Sequence, residues 1–181
     1  RSGVVQCGIV GYTNAGKSTL LNALTGAGIL TEDKLFATLD TTTRQYTLPG
    51  GSEILLTDTV GFIRNLPHHL IKAFRSTLEE AAFSDILLVV IDASDPEFAA
   101  QAEVTTNLLT ELGAGDTPIL YVFNKCDAGF PAESLGEVRR LTAGEGHDTV
   151  FISAKTGAGL TQLSEKLEEM IEKLRGKRRV H

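Results

Sequence analysis

Tryptophan is absent from this sequence, methionine occurs once, and only two cysteines, Cys7 and Cys126, are present. The cysteines stand far apart, without the close spacing of metal ligands, and each lies inside an apolar run. They read as two reduced core thiols of a cytoplasmic protein rather than as a zinc site or a disulfide scaffold. Also missing is any apolar stretch near the roughly 18 residues that span a bilayer. Residues 1–3 lead straight into a strand-like run with no resemblance to a signal peptide. A cytoplasmic protein with no membrane span is the expectation. Positive charge is in deficit: 17 lysines and arginines against 23 acidic residues leave a net charge of −6. A protein held on DNA by counterion release needs a basic surface, so no sequence-specific DNA partner is expected.

What is present is an alternation of short apolar runs with stretches of helical period, over 181 residues that suit one domain spanning 1–181. Strands are predicted at 4–10, 45–48, 53–58, 86–91, 119–123 and 149–152. The second and third should form an antiparallel hairpin through Pro49-Gly50-Gly51. Helices are predicted from Lys17 to Thr25, at 67–82, 96–112 and 132–141, and finally with Leu160, Leu163, Leu167, Ile171 and Leu174 on one face. Polar residues dominate 31–44 without periodicity, which predicts a long functional loop. The fold class that follows is α/β, with a six-stranded, mostly parallel sheet flanked by helices on both faces. Nothing in this pattern demands an oligomer, and a monomer is expected.

The stretch Gly11-Tyr12-Thr13-Asn14-Ala15-Gly16-Lys17-Ser18 matches G-x-x-x-x-G-K-[ST] directly after a strand and at the opening of a helix. Glycines at both ends let the backbone N–H groups of Asn14, Ala15, Gly16 and their neighbours through Thr19 curl around phosphates, where the helix N-terminus favours negative charge. Lys17 would reach the β- and γ-phosphates, and the Ser18 hydroxyl would ligate Mg2+. This pattern points to a nucleoside triphosphate without naming the base.

The base is named by Asn124-Lys125-Cys126-Asp127, at the carboxyl end of a buried strand, where ligands of open parallel sheets bind. The Asp127 carboxylate can accept from both N1–H and the N2 amine of guanine. Adenine offers neither donor and would leave it unpaired. The Lys125 stem can lie along base and ribose, and Ser153-Ala154-Lys155 can supply a backbone N–H to guanine O6. Asp58-Thr59-Val60-Gly61 closes another strand, with Asp58 placed to hold Mg2+ through water and the Gly61 amide to meet the γ-phosphate. In the polar loop, Phe36 and Ala37 lead to Thr38, which could complete the metal shell; Thr41, Thr42 and Thr43 are its rivals. GTP and GDP are the expected ligands, with Lys17, Thr38 and Gly61 as the candidate catalytic groups.

These elements resemble the translation-factor-related class of P-loop GTPases, whose fold is Ras-like. The closer resemblance is to the HflX family, through the P-loop quoted above, the stretch Lys34-Leu35-Phe36-Ala37-Thr38-Leu39-Asp40-Thr41-Thr42-Thr43-Arg44, and Asp58-Thr59-Val60-Gly61-Phe62-Ile63. It covers essentially the whole chain. It implies a GTPase acting on the large ribosomal subunit, linked to subunit splitting and stress recovery. The family carries a further N-terminal domain and helical linker, so the resemblance also implies an excised domain or a truncated relative. An alternative stays open: a GTP-dependent binding switch for ribosome or RNA, with hydrolysis incidental.

In many GTPases a glutamine after D-x-x-G orients the attacking water. Phe62 stands there and can neither donate nor accept. Asn14 resembles an asparagine with which some glutamine-lacking GTPases hold K+ beside the phosphates; it also suits turn geometry by itself. Arg44, Arg64, Arg75, His68 and His69 read as surface residues, and the basic end from Lys173 to Arg179 serves a helix dipole as well as it would serve RNA. Slow hydrolysis is the expectation. Phe62→Gln should accelerate single-turnover GTP hydrolysis, and equal rates in the two proteins would remove Phe62 as its cause.

Overall fold

A computed structural model of the chain describes residues 4–11, 16–25, 42–58, 84–110, 117–125, 136, 139–140 and 147–180. Six strands form one sheet: β1 (Val5–Gly11), β2 (Thr42–Thr47), β3 (Glu53–Asp58), β4 (Ile86–Asp92), β5 (Ile119–Asn124) and β6 (His147–Phe151), in the order β2-β3-β1-β4-β5-β6. Every pairing is parallel except the β2–β3 hairpin. The described helices are α1 (Lys17–Thr25), α2 (Phe98–Leu109) and α3 (Leu160–Val180).

Strand side chains alternate between two cores because successive Cβ atoms leave opposite faces. Leu88, Val90, Leu120 and Val122 enter one core with Leu20, Leu21 and Leu24 of α1 and Leu163, Leu167 and Ile171 of α3. Leu87, Val89, Ile91, Tyr121 and Phe123 enter the other, where Phe98, Ala102 and Leu109 of α2 cover them. Phe98 meets Phe123 edge-on at 5.9 Å, a favoured aromatic geometry. Burying such a side chain stabilises by about 1.5–3 kcal/mol, so both faces must be covered. Cys7 lies in the first core as a free thiol whose pKa is pushed up to about 12, chiefly by burial and in smaller part by the Asp85 carboxylate. It is inert at neutral pH. Cys126 lies outside the described residues.

Several boundaries differ from the sequence pattern. Thr42, Thr43 and Arg44 are extended, although their polarity reads as loop, because they pair antiparallel with Asp58, Thr57 and Leu56. The sixth strand begins earlier, at His147, which pairs with Ile119; half-exposed polar residues of an edge strand leave no apolar signal. The last helix runs on through the basic segment to Val180, since its packing on the core ends near Leu174 but nothing in 175–180 forbids helix. The second described helix starts at Phe98 rather than at Pro96, because Asp95 forms a turn there, its Oδ1 accepting the Glu97 N–H at 2.9 Å. The predicted helix at 67–82 and most of that at 132–141 fall outside the described residues.

At the start of β6, His147 packs edge-on against Tyr121 at 5.6 Å, and its Nδ1 is buried with no hydrogen-bond partner among the described residues. Burial holds the imidazole below its ordinary value of 6.5, because charging it would strand a cation in this site. The unfolded chain therefore takes up the proton first. Stability is full above about pH 6.5 and falls as pH drops towards the lower folded-state value. Urea unfolding at pH 7.5, 6.5 and 5.5 should show the native protein losing stability relative to His147→Phe, which keeps the ring contact. Parallel curves would contradict this.

Candidate functional site

Parallel strands covered on both faces deliver their carboxyl ends to one rim, and the described motif residues Gly11, Asp58 and Asn124 sit on it. Gly11 ends β1 beside Val90, Asp58 ends β3, and Asp92 and Asn124 end β4 and β5 as register partners. A Cβ at Gly11 would come within 2.6 Å of the Val90 carbonyl oxygen, so the chain leaves β1 through a glycine. Gly16 has φ +95°, a left-handed conformation, and its carbonyl accepts the Leu20 N–H at 2.9 Å to start α1. Lys17 and Ser18 are the first two residues of that helix, with Thr19 half-buried behind them.

Asn124 ties this loop to the other segments. Its side chain is buried, and its Oδ1 accepts the Ala154 N–H at 2.9 Å. Its amide nitrogen lies over Gly16 so closely that a Cβ there would overlap it. Its own carbonyl accepts the Ala93 N–H at 2.9 Å. One residue thus joins the β1–α1 loop, the end of β4 and the turn after β6. That turn is tight: the Ser153 N–H donates to Ala158 O at 2.9 Å, the Gly157 N–H to Ser153 O at 2.8 Å, and the Thr156 N–H to Ser153 Oγ at 3.2 Å. Among the described residues, the Ser153 and Ala154 amides are thereby committed within the protein, and the exposed Lys155 follows them on the rim.

A family model described as 50S ribosome-binding GTPase matches residues 6–125. The chain belongs to that family. This GTPase domain is 58% identical to GTPase HflX of Lacrimispora saccharolytica over 168 residues, covering 93% of the chain and 38% of that relative. It is 51% identical to GTPase HflX of Akkermansia muciniphila, covering 95% of the chain and 39% of the relative. The chain thus spans well under half the length of these HflX proteins. A crystal structure of a GTP-binding protein from Sulfolobus solfataricus in complex with GDP superposes with a TM-score of 0.77 at 34% identity, covering 94% of this chain and 53% of that one. Era in complex with MgGDPNP and a segment of 16S ribosomal RNA gives a TM-score of 0.70 at 27% identity, covering 95% and 57%. A P-loop GTPase domain of HflX type is what the sequence resemblance leads to expect.

Of the expected site residues in this GTPase domain, Gly16, Asn124 and Ala154 are brought together in the contacts above, with Ser153 next to Ala154 in the turn after β6, while Gly11 ends β1 beside Val90. Lys17, Ser18 and Asp58 occupy the rim ends of α1 and β3. Asn14, Ala15, Phe36, Ala37, Thr38, Gly61, Phe62 and Asp127 lie outside the described residues. No helix among the described residues is long and apolar enough to cross a membrane. One residue that the sequence reading passed over shares the rim: Asp92, whose Oδ2 receives Lys125 Nζ at 3.1 Å. Its signal was its place as the first charged residue after the apolar run of β4.

Asn124→Ala leaves the Ala154 N–H without its acceptor inside a buried contact. An unfulfilled buried donor costs about 1–3 kcal/mol. Urea denaturation should show a loss of that size; an unchanged midpoint would mean that the three segments are held by something else.

Proposed function

We propose that this domain binds GTP and GDP across the rim, hydrolyses GTP with magnesium, and works on the large ribosomal subunit. The observation that carries the reading is the Asn124 side chain, which places the end of the P-loop, at Gly16, against the segment proposed to read guanine. In this reading the amides from Gly11 through Asn14, Ala15, Gly16, Lys17, Ser18 and Thr19 cradle the phosphates, and Lys17 reaches the β- and γ-phosphates. Asn124 fixes the site, the Lys125 stem lies along base and ribose, and Asp127 accepts from guanine N1–H and N2. Of Ser153, Ala154 and Lys155, the Lys155 amide is the one not committed to a described partner, and it suits guanine O6.

The metal-holding residues of this reading are Ser18, Asp58 and Thr38. They offer only hydroxyl and carboxylate oxygens, the hard donors that magnesium takes, and Ser18 and Asp58 sit at rim ends of their elements. When bound, magnesium supplies charge neutralisation between the β- and γ-phosphates. Phe36 and Ala37 bring Thr38 to the site, and the Gly61 amide donates to the γ-phosphate. Phe62 offers the attacking water nothing, so hydrolysis is slow until a partner orients that water. A potassium ion against Asn14 would add positive charge where the chain places no arginine in the phosphate loop.

The ribosomal part of the proposal follows from the likeness to HflX and from the family description. It is tested by GTP turnover with and without purified large ribosomal subunits, in potassium chloride and in sodium chloride. Turnover is expected to be low alone, to rise with large subunits, and to be faster in potassium. No response to subunits would remove the ribosomal role, and equal rates in the two salts would remove the potassium site; neither result touches nucleotide binding.

A further inference from the structure

Asp92 belongs to none of the motifs, yet both of its carboxylate oxygens are engaged. Oδ1 accepts the backbone N–H of Ser94 at 2.9 Å and its hydroxyl at 2.6 Å. Oδ2 receives the Lys125 ammonium at 3.1 Å. The two partners ride on strand ends that are themselves joined: Asp92 is opposite Asn124 in the β4–β5 register, and the Ala93 N–H donates to the Asn124 carbonyl at 2.9 Å. Lys125 has φ +65°, in the left-handed region that non-glycine residues seldom occupy, so its direction of departure from β5 is set by the surroundings. The Asp92 side chain is 17% exposed and that of Lys125 38%, so the carboxylate is sheltered while the lysine reaches the open rim.

An ion pair this exposed adds little to folding. Its consequence lies in where it puts the lysine. A free lysine stem samples many rotamers, and ordering it on a ligand subtracts from affinity; a stem already held does not incur that loss. We infer that Asp92, locked by Ser94, is a positioning residue that sets the Lys125 stem for a guanine nucleotide before the nucleotide arrives. The inference rests on the guanine reading of Asn124, Lys125 and Asp127. The ammonium stays on Asp92 while the methylenes lie against base and ribose. That contact does not involve the γ-phosphate, so GTP and GDP depend on it alike.

Equilibrium titration with magnesium and GTP or GDP tests this. Asp92→Asn raises both dissociation constants by the same factor, about two- to tenfold, the range for immobilising one flexible side chain. In a Lys125→Met background the same substitution has no further effect. Ser94→Ala, which keeps the charge but loosens it, gives a smaller loss, and Ser94→Thr restores native affinity. Unchanged or tighter binding by Asp92→Asn, or an equal loss in the Lys125→Met background, overturns the inference. A native chain without guanine preference overturns the guanine reading and this inference with it. A native preference beside an indifferent Asp92→Asn removes the positioning role alone.

Discussion

A parallel sheet with both faces buried constrains everything else in this domain. Parallel neighbours cannot be joined by tight turns; among the described residues, α1 after β1 and α2 after β4 each cover one face of the sheet. The alternation of Leu88 and Val90 into one core, and of Leu87, Val89 and Ile91 into the other, requires α1 and α3 on one side and α2 on the opposite side. The same constraint gathers Gly11, Asp58, Asp92 and Asn124, which are remote in sequence, at the carboxyl ends of their strands. A site for a charged nucleotide is then a property of the rim rather than of any one segment.

Within the rim, the buried Asn124 amide fixes how the segments sit together. A buried amide is stabilising only when its polar atoms are matched, and here the oxygen takes the Ala154 N–H while the nitrogen packs over Gly16. A side chain at Gly16 would displace it, and φ +95° there already disfavours any residue with a Cβ. Gly16 and Asn124, which belong to the segments proposed to hold phosphate and to read the base, are therefore one packing unit. Asp92 and Lys125 extend that unit towards the open rim by a charge pair on the next strand.

Much of this was legible in the residues, for physical reasons. Strands buried on both faces, such as those of Ile86–Asp92 and Ile119–Asn124, are written as continuous apolar runs, and the P-loop announces itself because its chemistry tolerates little substitution in type or spacing. The helix beginning at Leu160 shows its buried face through Leu163, Leu167 and Ile171. The pattern fails where pairing rather than burial makes the structure. Thr42 to Arg44 are extended because Asp58, Thr57 and Leu56 lie beside them, and His147 and Asp148 belong to an edge strand with no apolar requirement. Asp92 was silent for another reason: a lone aspartate after a strand has no meaning until Ser94 and Lys125 are seen on its two oxygens.

The central claim is that this rim selects guanine. It is tested most directly by titrating the purified domain with GTP, GDP and ATP in magnesium, for the native chain and for Asp127→Asn. The account predicts that GTP and GDP bind, that ATP does not, and that the substitution abolishes the preference. ATP binding as tightly as GTP to the native chain would contradict it.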